Sequence, residues 1–157
     1  MQNRMKQHQL TSEKINGLLE RSMTGCLATV SSDGAPYAVP VHYAWDGESI
    51  LIHGLPVGEK LSNIRNKPAV CFTVYDMIGL IMDAEGRPCE INTEYESVVI
   101  KGCAEILDSI KVKEAALRRI VKKYTPQLAD KDLPENMLKG TAVIRIVPAA
   151  ITGKYYK

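Results

Sequence analysis

The sequence lacks the patterns that would assign it directly to several large protein classes. No apolar run approaches the about 20 residues that a membrane-spanning helix needs. The start, MQNRMKQHQL, has neither an apolar stretch nor a small-residue cleavage site, which argues against a secretory signal. We therefore expect a cytoplasmic protein with no membrane partner.

Common nucleotide and metal motifs are also missing. There is no GxGxxG fingerprint, no GxxxxGK[ST] phosphate loop and no Cys-x-x-Cys pair. The net charge of +2 is too small to favour nucleic acid as the main partner. These absences argue against a Rossmann enzyme, a P-loop enzyme, a zinc protein and a nucleic-acid-binding protein.

The composition and length predict one compact domain over residues 1–157. Hydrophobic residues make up 45% and charged residues 24%, which is the ordinary balance of a globular chain. The four cysteines are far apart, and three of them lie in strand-like segments, where a thiol usually acts as a small buried hydrophobe. We expect reduced, structural thiols.

The apolar spacing predicts three helices and six strands. The helices are expected at 11–24, which belongs to an N-terminal helical segment over residues 1–24, at 58–66 and at 109–124. The strands are expected at 26–31, 36–45, 49–53, 69–75, 96–107 and 141–147. Gly25 is expected to end the first helix. Two Asp-Gly pairs, at 33–34 and 46–47, predict tight hairpin turns.

Six short strands with few helices between them predict a mainly β fold. Closure into an antiparallel barrel removes the sheet edges that would otherwise invite aggregation. The basic residues of 109–124 fit a solvated helix face better than a nucleic-acid stripe. Residues 125–139 are expected to form a polar linker, and residues 76–92 have no assigned structure.

The segment 53–64 is a candidate phosphate site because it leaves a strand, turns and starts a helix. Free N–H groups at a helix N-terminus attract anions, Gly58 lets the backbone come close, and Lys60 can add a charged contact. Glu59 argues mildly against this interpretation. An ordinary surface turn is the alternative.

The strand segment 39–43 contains Pro40, which indicates an edge strand or an irregular site. Such an edge offers N–H and C=O groups to the polar rim of a flat heterocycle, beside an apolar bed. The alternative is an ordinary edge strand in which proline guards against aggregation.

The run GCLATVSSDGAPYAVPVHYAWDGESILIHGLPVGEKLSNIRNKPAVCFTV resembles the pyridoxamine 5'-phosphate oxidase-related FMN-binding split barrels, most closely their nitroimidazole-resistance branch. The later pieces YESVV, GCAE and ITGK continue the pattern. The resemblance implies a six-stranded split barrel that is a homodimer, with FMN in clefts between the subunits. Together, these segments extend the resemblance over nearly the whole chain.

The resemblance also implies roles for individual residues. One group borders the flavin ring, a second holds the phosphate, and a third approaches from the partner subunit. The cofactor-binding residues that it implies are Pro40, Val41, His42, Tyr43, His53, Gly54, Gly58, Lys60, Leu61, Tyr95, Ser97 and Val98.

His53 is the one catalytic candidate, since an imidazole titrates near neutral pH and suits proton delivery beside a reduced flavin. A structural, hydrogen-bonded histidine is the alternative interpretation. Some relatives of this family bind haem or a deazaflavin, and His42 and His53 are conceivable iron ligands. The identity of the cofactor therefore stays open. The arginines of true pyridoxamine 5'-phosphate oxidases have no match, which argues against vitamin B6 oxidation.

Two functional hypotheses follow from the sequence. The first is an FMN-dependent oxidoreductase that passes electrons from NAD(P)H to a small acceptor such as a nitroaromatic or a quinone. The second is a haem- or flavin-sequestering protein without turnover. A DNA-associated module that uses the helix 109–124 is a third, and it predicts salt-sensitive retention on DNA.

Overall fold

The computed structural model describes residues 6–157, so the first five residues of the predicted N-terminal segment lie outside the described residues. The strands are β1 (Thr24–Val30), β2 (Pro36–Trp45), β3 (Ile50–Gly54), β4 (Ala69–Ile81), β5 (Asn92–Ile106) and β6 (Ala142–Tyr156). The helices named here are α1 (Ser12–Arg21), α2 (Glu59–Asn66), α3 (Ile110–Tyr124) and α4 (Glu135–Gly140).

The six strands form one closed antiparallel barrel in the order β1-β2-β3-β6-β5-β4. This confirms the mainly β, six-stranded split barrel expected from the sequence. The two Asp-Gly turns are present, and Gly34 (φ +92°) and Gly47 (φ +99°) adopt the left-handed backbone that the tight turns require.

The barrel wall is split along β2. Residues 36–42 of this strand pair with β1, whereas only Tyr43, Ala44 and Trp45 pair with β3. By contrast, β5 is paired along nearly its whole length with both of its neighbours. The segment before Tyr43 therefore has an edge that β3 does not cover, in agreement with the irregular edge that Pro40 predicts.

The interior of the barrel holds the main hydrophobic core, and α1 closes one end of it. Leu18 and Leu19 of α1 are fully buried in this core. The Tyr43 hydroxyl donates a hydrogen bond of 2.9 Å to the carbonyl of Leu19. Outside the wall, α3 covers a second cluster that contains Ala116 and Ile120.

Several predicted boundaries are wrong. The first helix ends at Arg21, and Gly25 instead lies within β1, where a Cβ atom would come 2.2 Å from Phe72 Cζ. The predicted linker 125–139 contains a 3₁₀ turn and the start of α4, and β6 continues to Tyr156 rather than stopping at 147.

The segment 76–92, for which the sequence predicts no structure, extends the hairpin between β4 and β5. Strand β4 continues to Ile81, a 3₁₀ turn spans Pro88–Glu90, and β5 begins at Asn92. Because β4 and β5 pair with each other along the hairpin, both strands stay extended despite a bulge near Gly79.

The cysteine prediction is wrong in part. All four thiols are free, as expected, but none of them is fully buried, and Cys89 and Cys103 are exposed. Cys103 lies on the outer face of β5, because strand alternation directs its neighbour Ala104 into the core.

Candidate functional site

Three predicted site residues come together where the pairing of β2 with β3 stops, at the end of β3 and the start of α2. They are His42 of β2, His53 of β3 and Lys60 of α2. The pKa of His53 is lowered, first because neighbouring protein atoms displace part of its hydration and then because His42 and Lys60 add positive electrostatic potential. The cluster therefore has a positive potential that favours an anionic ligand.

Lys60 is oriented toward the chain that precedes its own helix. Its Nζ atom lies 3.4 Å from the position that a Cβ atom would take on Gly54, so the ammonium group rests against the backbone of that glycine. Among the ion pairs within residues 6–157, none involves Lys60. Its charge is therefore available to a ligand.

The N-terminus of α2 is also open to a ligand. Gly58 precedes the helix with φ +132°, a conformation that side chains rarely adopt, and no side chain caps the helix start. The first N–H groups of a helix carry partial positive charge. Lys60 and this helix start are thus available to bind the same anion.

A cleft of about 400 Å³ opens beside His53. Its lining comes from the end of β3 and from α4, which the sequence analysis missed: His53, Gly54, Leu55, Asn136, Met137, Gly140 and Thr141. Leu55 and Met137 are largely exposed to solvent. The cleft therefore combines a histidine with exposed apolar side chains, as small-molecule sites commonly do.

Strand alternation divides the predicted ring-binding residues into two groups. Pro40 and His42 are exposed, whereas Val41 packs against the core and Tyr43 is fully buried within it. Their side chains consequently point to opposite faces of β2. Only Pro40 and His42 can offer side chains to a ligand on the outer face.

Two other predicted site residues are also buried. Leu61 lies on the core side of α2, and Val98 points into the barrel from β5. For these two and for Tyr43, contact with a ligand is limited to backbone atoms.

Tyr95 and Ser97 lie on β5, distant from the histidines within one chain. Across the sheet, Pro40 is opposite Cys26, which is opposite Thr73, and Thr73 pairs in turn with β5. Three inter-strand spacings amount to about 14 Å. The structure therefore groups His42, His53 and Lys60 but leaves Tyr95 and Ser97 on a separate patch.

That separate patch continues into an exposed apolar surface on the β4–β5 hairpin. Tyr75 stacks on Tyr95 with 5.6 Å between ring centroids and is 60% exposed. Met77, Ile78 and Leu80 are each more than half exposed. A concentration of exposed apolar side chains of this kind is typical of protein interfaces.

Tyr124 is a site neighbour that sequence reasoning missed. Its ring lies 4.9 Å from the imidazole of His42, with 31° between the ring planes. The helical spacing indicated only that Tyr124 belongs to the apolar face of α3. The residue that it contacts depends on how α3 docks on the barrel, which the helical pattern does not encode.

Two general features of residues 6–157 limit the kinds of site. No group of three or more His, Cys, Asp or Glu side chains in this range is arranged to hold a metal ion. Within the same range, no helix is long and apolar enough to cross a membrane.

Comparison with known proteins gives matches over almost the entire chain. A family model described as pyridoxamine 5'-phosphate oxidase matches residues 11–155. No curated protein sequence matches the chain.

Many solved structures share the fold. A candidate 5-nitroimidazole antibiotic resistance protein from Bacteroides thetaiotaomicron has a TM-score of 0.78 and 21% identity, over 93% of this chain and 85% of that one. The FAD and heme binding protein from Mycobacterium smegmatis has a TM-score of 0.86 and 19% identity, over 96% and 74% of the two chains. A flavocytochrome from Azotobacter vinelandii has a TM-score of 0.85 and 19% identity, over 100% and 72%.

Proposed function

This chain belongs to the pyridoxamine 5'-phosphate oxidase family, and we propose that it is a flavoprotein that binds FMN where the pairing of β2 with β3 stops and α2 begins. One observation carries the proposal. A lysine that pairs with no carboxylate within residues 6–157, an uncapped helix start and an open strand edge adjoin one another. These are the groups that a phosphate and a flat ring require at the two ends of one ligand.

The phosphate end of FMN fits the start of α2. Lys60 supplies an ammonium group, Gly54 lets that group lie close to the backbone, and Gly58 leaves the helix start without a side chain in the way. Desolvation is the first cause of the lowered pKa of His53, and the positive potential of His42 and Lys60, which lowers it further, also favours a dianionic phosphate.

The ring end of FMN fits the outer face of β2. Pro40 and His42 are exposed there, and β3 does not cover the strand edge. The backbone of 40–42 is proposed to bind the polar rim of the ring, with only a C=O from Pro40, which has no N–H. Tyr43 borders this segment, but its side chain is buried and its N–H already donates to the Tyr124 hydroxyl.

We also propose that the functional unit is a homodimer. A ring held near His42 is separated from Tyr95 and Ser97 of the same chain by three strand spacings along the barrel wall. A second copy that packs on the exposed apolar hairpin surface would supply these two residues and the backbone at Val98. Its mass in solution should be twice 17.4 kDa.

The proposed activity is electron transfer from NAD(P)H to a small acceptor such as a nitroaromatic. When bound, FMN supplies the hydride and electron chemistry, and the protein holds and orients it. His53 lines the adjoining cleft, where it can donate or accept a proton near a small acceptor. The cytoplasmic location and the absence of a nucleic-acid partner stay predictions.

Purification of the recombinant protein tests this function. We expect a yellow protein whose ligand has the mass of FMN and whose flavin absorbance bleaches when NADH or NADPH is added under argon. A yellow protein that neither nucleotide reduces would contradict the oxidoreductase activity and would favour a protein that binds flavin without turnover. A colourless protein that does not take up FMN would refute the proposal.

Haem binding is the second candidate. His42 and His53 lie close enough for His42 to lower the pKa of His53, so the pair offers two nitrogen donors near one cleft. Two proteins of the same fold are described as a flavocytochrome and as a FAD and heme binding protein. A Soret band in the purified protein would favour haem, and flavin maxima would favour FMN.

A further inference from the structure

Tyr124 occupies the end of the ladder between β1 and β2. The last pair of this ladder is Thr24 with His42, so Met23 and Tyr43 would form the next pair. The Tyr124 hydroxyl lies between them: it accepts a hydrogen bond of 2.9 Å from the Tyr43 N–H and donates one of 2.5 Å to the Met23 carbonyl. A side chain from α3 thus connects two backbones that are no longer joined as strands.

The same hydroxyl lies where the barrel wall splits. Tyr43 is the first residue of β2 that pairs with β3, and the carbonyl of Tyr43 is 3.0 Å from the Tyr124 oxygen. Desolvation raises the pKa of Tyr124, so its hydroxyl keeps the proton that it donates. The contact therefore lies at the point where β2 changes partners.

The ring of Tyr124 has a separate contact with His42. The two rings are 4.9 Å apart at their centroids and tilted by 31°, which leaves them close to parallel. One face of the imidazole is therefore covered by protein, and the side chain of His42 is otherwise exposed. A solvated histidine with no such neighbour would sample several rotamers and would lose that freedom on binding a ligand.

We propose that Tyr124 is a positioning residue of the flavin site, whose ring orients the His42 imidazole and whose hydroxyl fixes the backbone at Tyr43. The inference rests on the proposed FMN site. It adds a residue from α3, outside the segments that the sequence assigned to the cofactor. Because the orientation of His42 is set before the ligand arrives, affinity for FMN rises through preorganisation.

Two substitutions separate the ring from the hydroxyl. Tyr124→Phe keeps the ring against His42 and removes both hydrogen bonds, whereas Tyr124→Leu removes both features. In NMR spectra of the FMN-free protein, the ring-current shift of the His42 imidazole protons should persist in Tyr124→Phe and vanish in Tyr124→Leu. Amide hydrogen exchange at Tyr43 should be faster in both variants.

Affinity for FMN should follow the ring. We expect the dissociation constant of FMN to rise about tenfold in Tyr124→Leu, which corresponds to about 1.4 kcal/mol, and to change no more than about threefold in Tyr124→Phe. Leu117→Ala is the matched control, because Leu117 lies two turns before Tyr124 on α3 and packs against the same apolar cluster. Its FMN affinity should equal that of the wild type.

A double-mutant cycle tests whether Tyr124 acts through His42. In a His42→Ala background, Tyr124→Leu should weaken FMN binding by no more than Tyr124→Phe does in the wild type, which is about threefold at most. The proposal is overturned if the two losses add in full, if Leu117→Ala weakens binding as much as Tyr124→Leu, or if the His42 shift survives in Tyr124→Leu. Failure of the wild type to bind FMN would refute the proposed function instead, while the NMR and exchange measurements would still decide the role of Tyr124.

Discussion

Replacing Lys60 with glutamine should weaken FMN binding specifically through the phosphate. Gln keeps most of the length of the side chain and removes the charge. A hydrogen bond to a charged group contributes about 1.5–3 kcal/mol, and the half-buried position of Lys60 favours the lower end because solvent screens part of the interaction. A loss of about 1.5 kcal/mol raises the dissociation constant about tenfold.

Titration of the FMN-free protein with FMN and with riboflavin measures this effect through quenching of flavin fluorescence. Riboflavin carries the same ring without the phosphate, so Lys60→Gln should leave its affinity unchanged. Lys67→Gln is the matched control, since Lys67 is an exposed lysine at the opposite end of α2. Equal losses for FMN and riboflavin, or an equal loss in Lys67→Gln, would refute the assignment of Lys60 to the phosphate.

Three further predictions concern stability, protonation and thiol exposure. Tyr43→Phe should lower the free energy of unfolding by about 0.5–1.5 kcal/mol, because the buried carbonyl of Leu19 loses one of two donors and keeps the other, Lys123 Nζ at 3.1 Å; guanidinium denaturation measures this change. The pKa of His53 in the FMN-free protein should lie below 6.5 and should rise in Lys60→Gln, because a neighbouring positive charge is removed. NMR titration measures it, and a pKa at or above 6.5 would contradict the electrostatics described for the site. Since the folded state then binds fewer protons than the unfolded chain, His53 should make the protein less stable as the pH falls through 6.5. With a thiol reagent under native conditions, Cys89 and Cys103 should react faster than the other two cysteines; four equal rates would contradict the exposure described here.

Local signals in the sequence were sufficient for much of the fold. The strand 36–45 has the predicted limits, and both Asp-Gly turns lie where the dipeptides indicated. These features depend on residues adjacent in the chain, since a tight turn needs a positive φ at one glycine. The helix 109–124 was likewise predicted from the spacing of its apolar residues, and Ser109 lies just before its first residue.

Other features depend on contacts between distant segments and could not be predicted from the sequence. The extension of β4 to Ile81 relies on the opposite strand of its hairpin, which overrides the interruption at Gly79. Gly25 resembles a helix terminator, yet its small size is needed beneath the ring of Phe72. The contact between Tyr124 and His42 likewise requires the docked position of α3.

The sequence also predicted the clustering of the candidate site in part. His53, Gly54 and Lys60 are close in the chain, so a single turn brings them together. The wall supplied by α4 comes from about 80 residues later, where the composition indicated only a linker.

The short junction between β2 and β3 has a consequence for how the protein loses its structure. Three residue pairs hold this junction, as many as join β1 to β4, whereas twelve pairs join β4 to β5. On heating, a closed wall parts first at its shortest seams, and local opening of this kind precedes global melting. A cofactor seated there would be released while the β4–β5–β6 side is still folded, so flavin fluorescence should increase at a lower temperature than the loss of β-sheet circular dichroism.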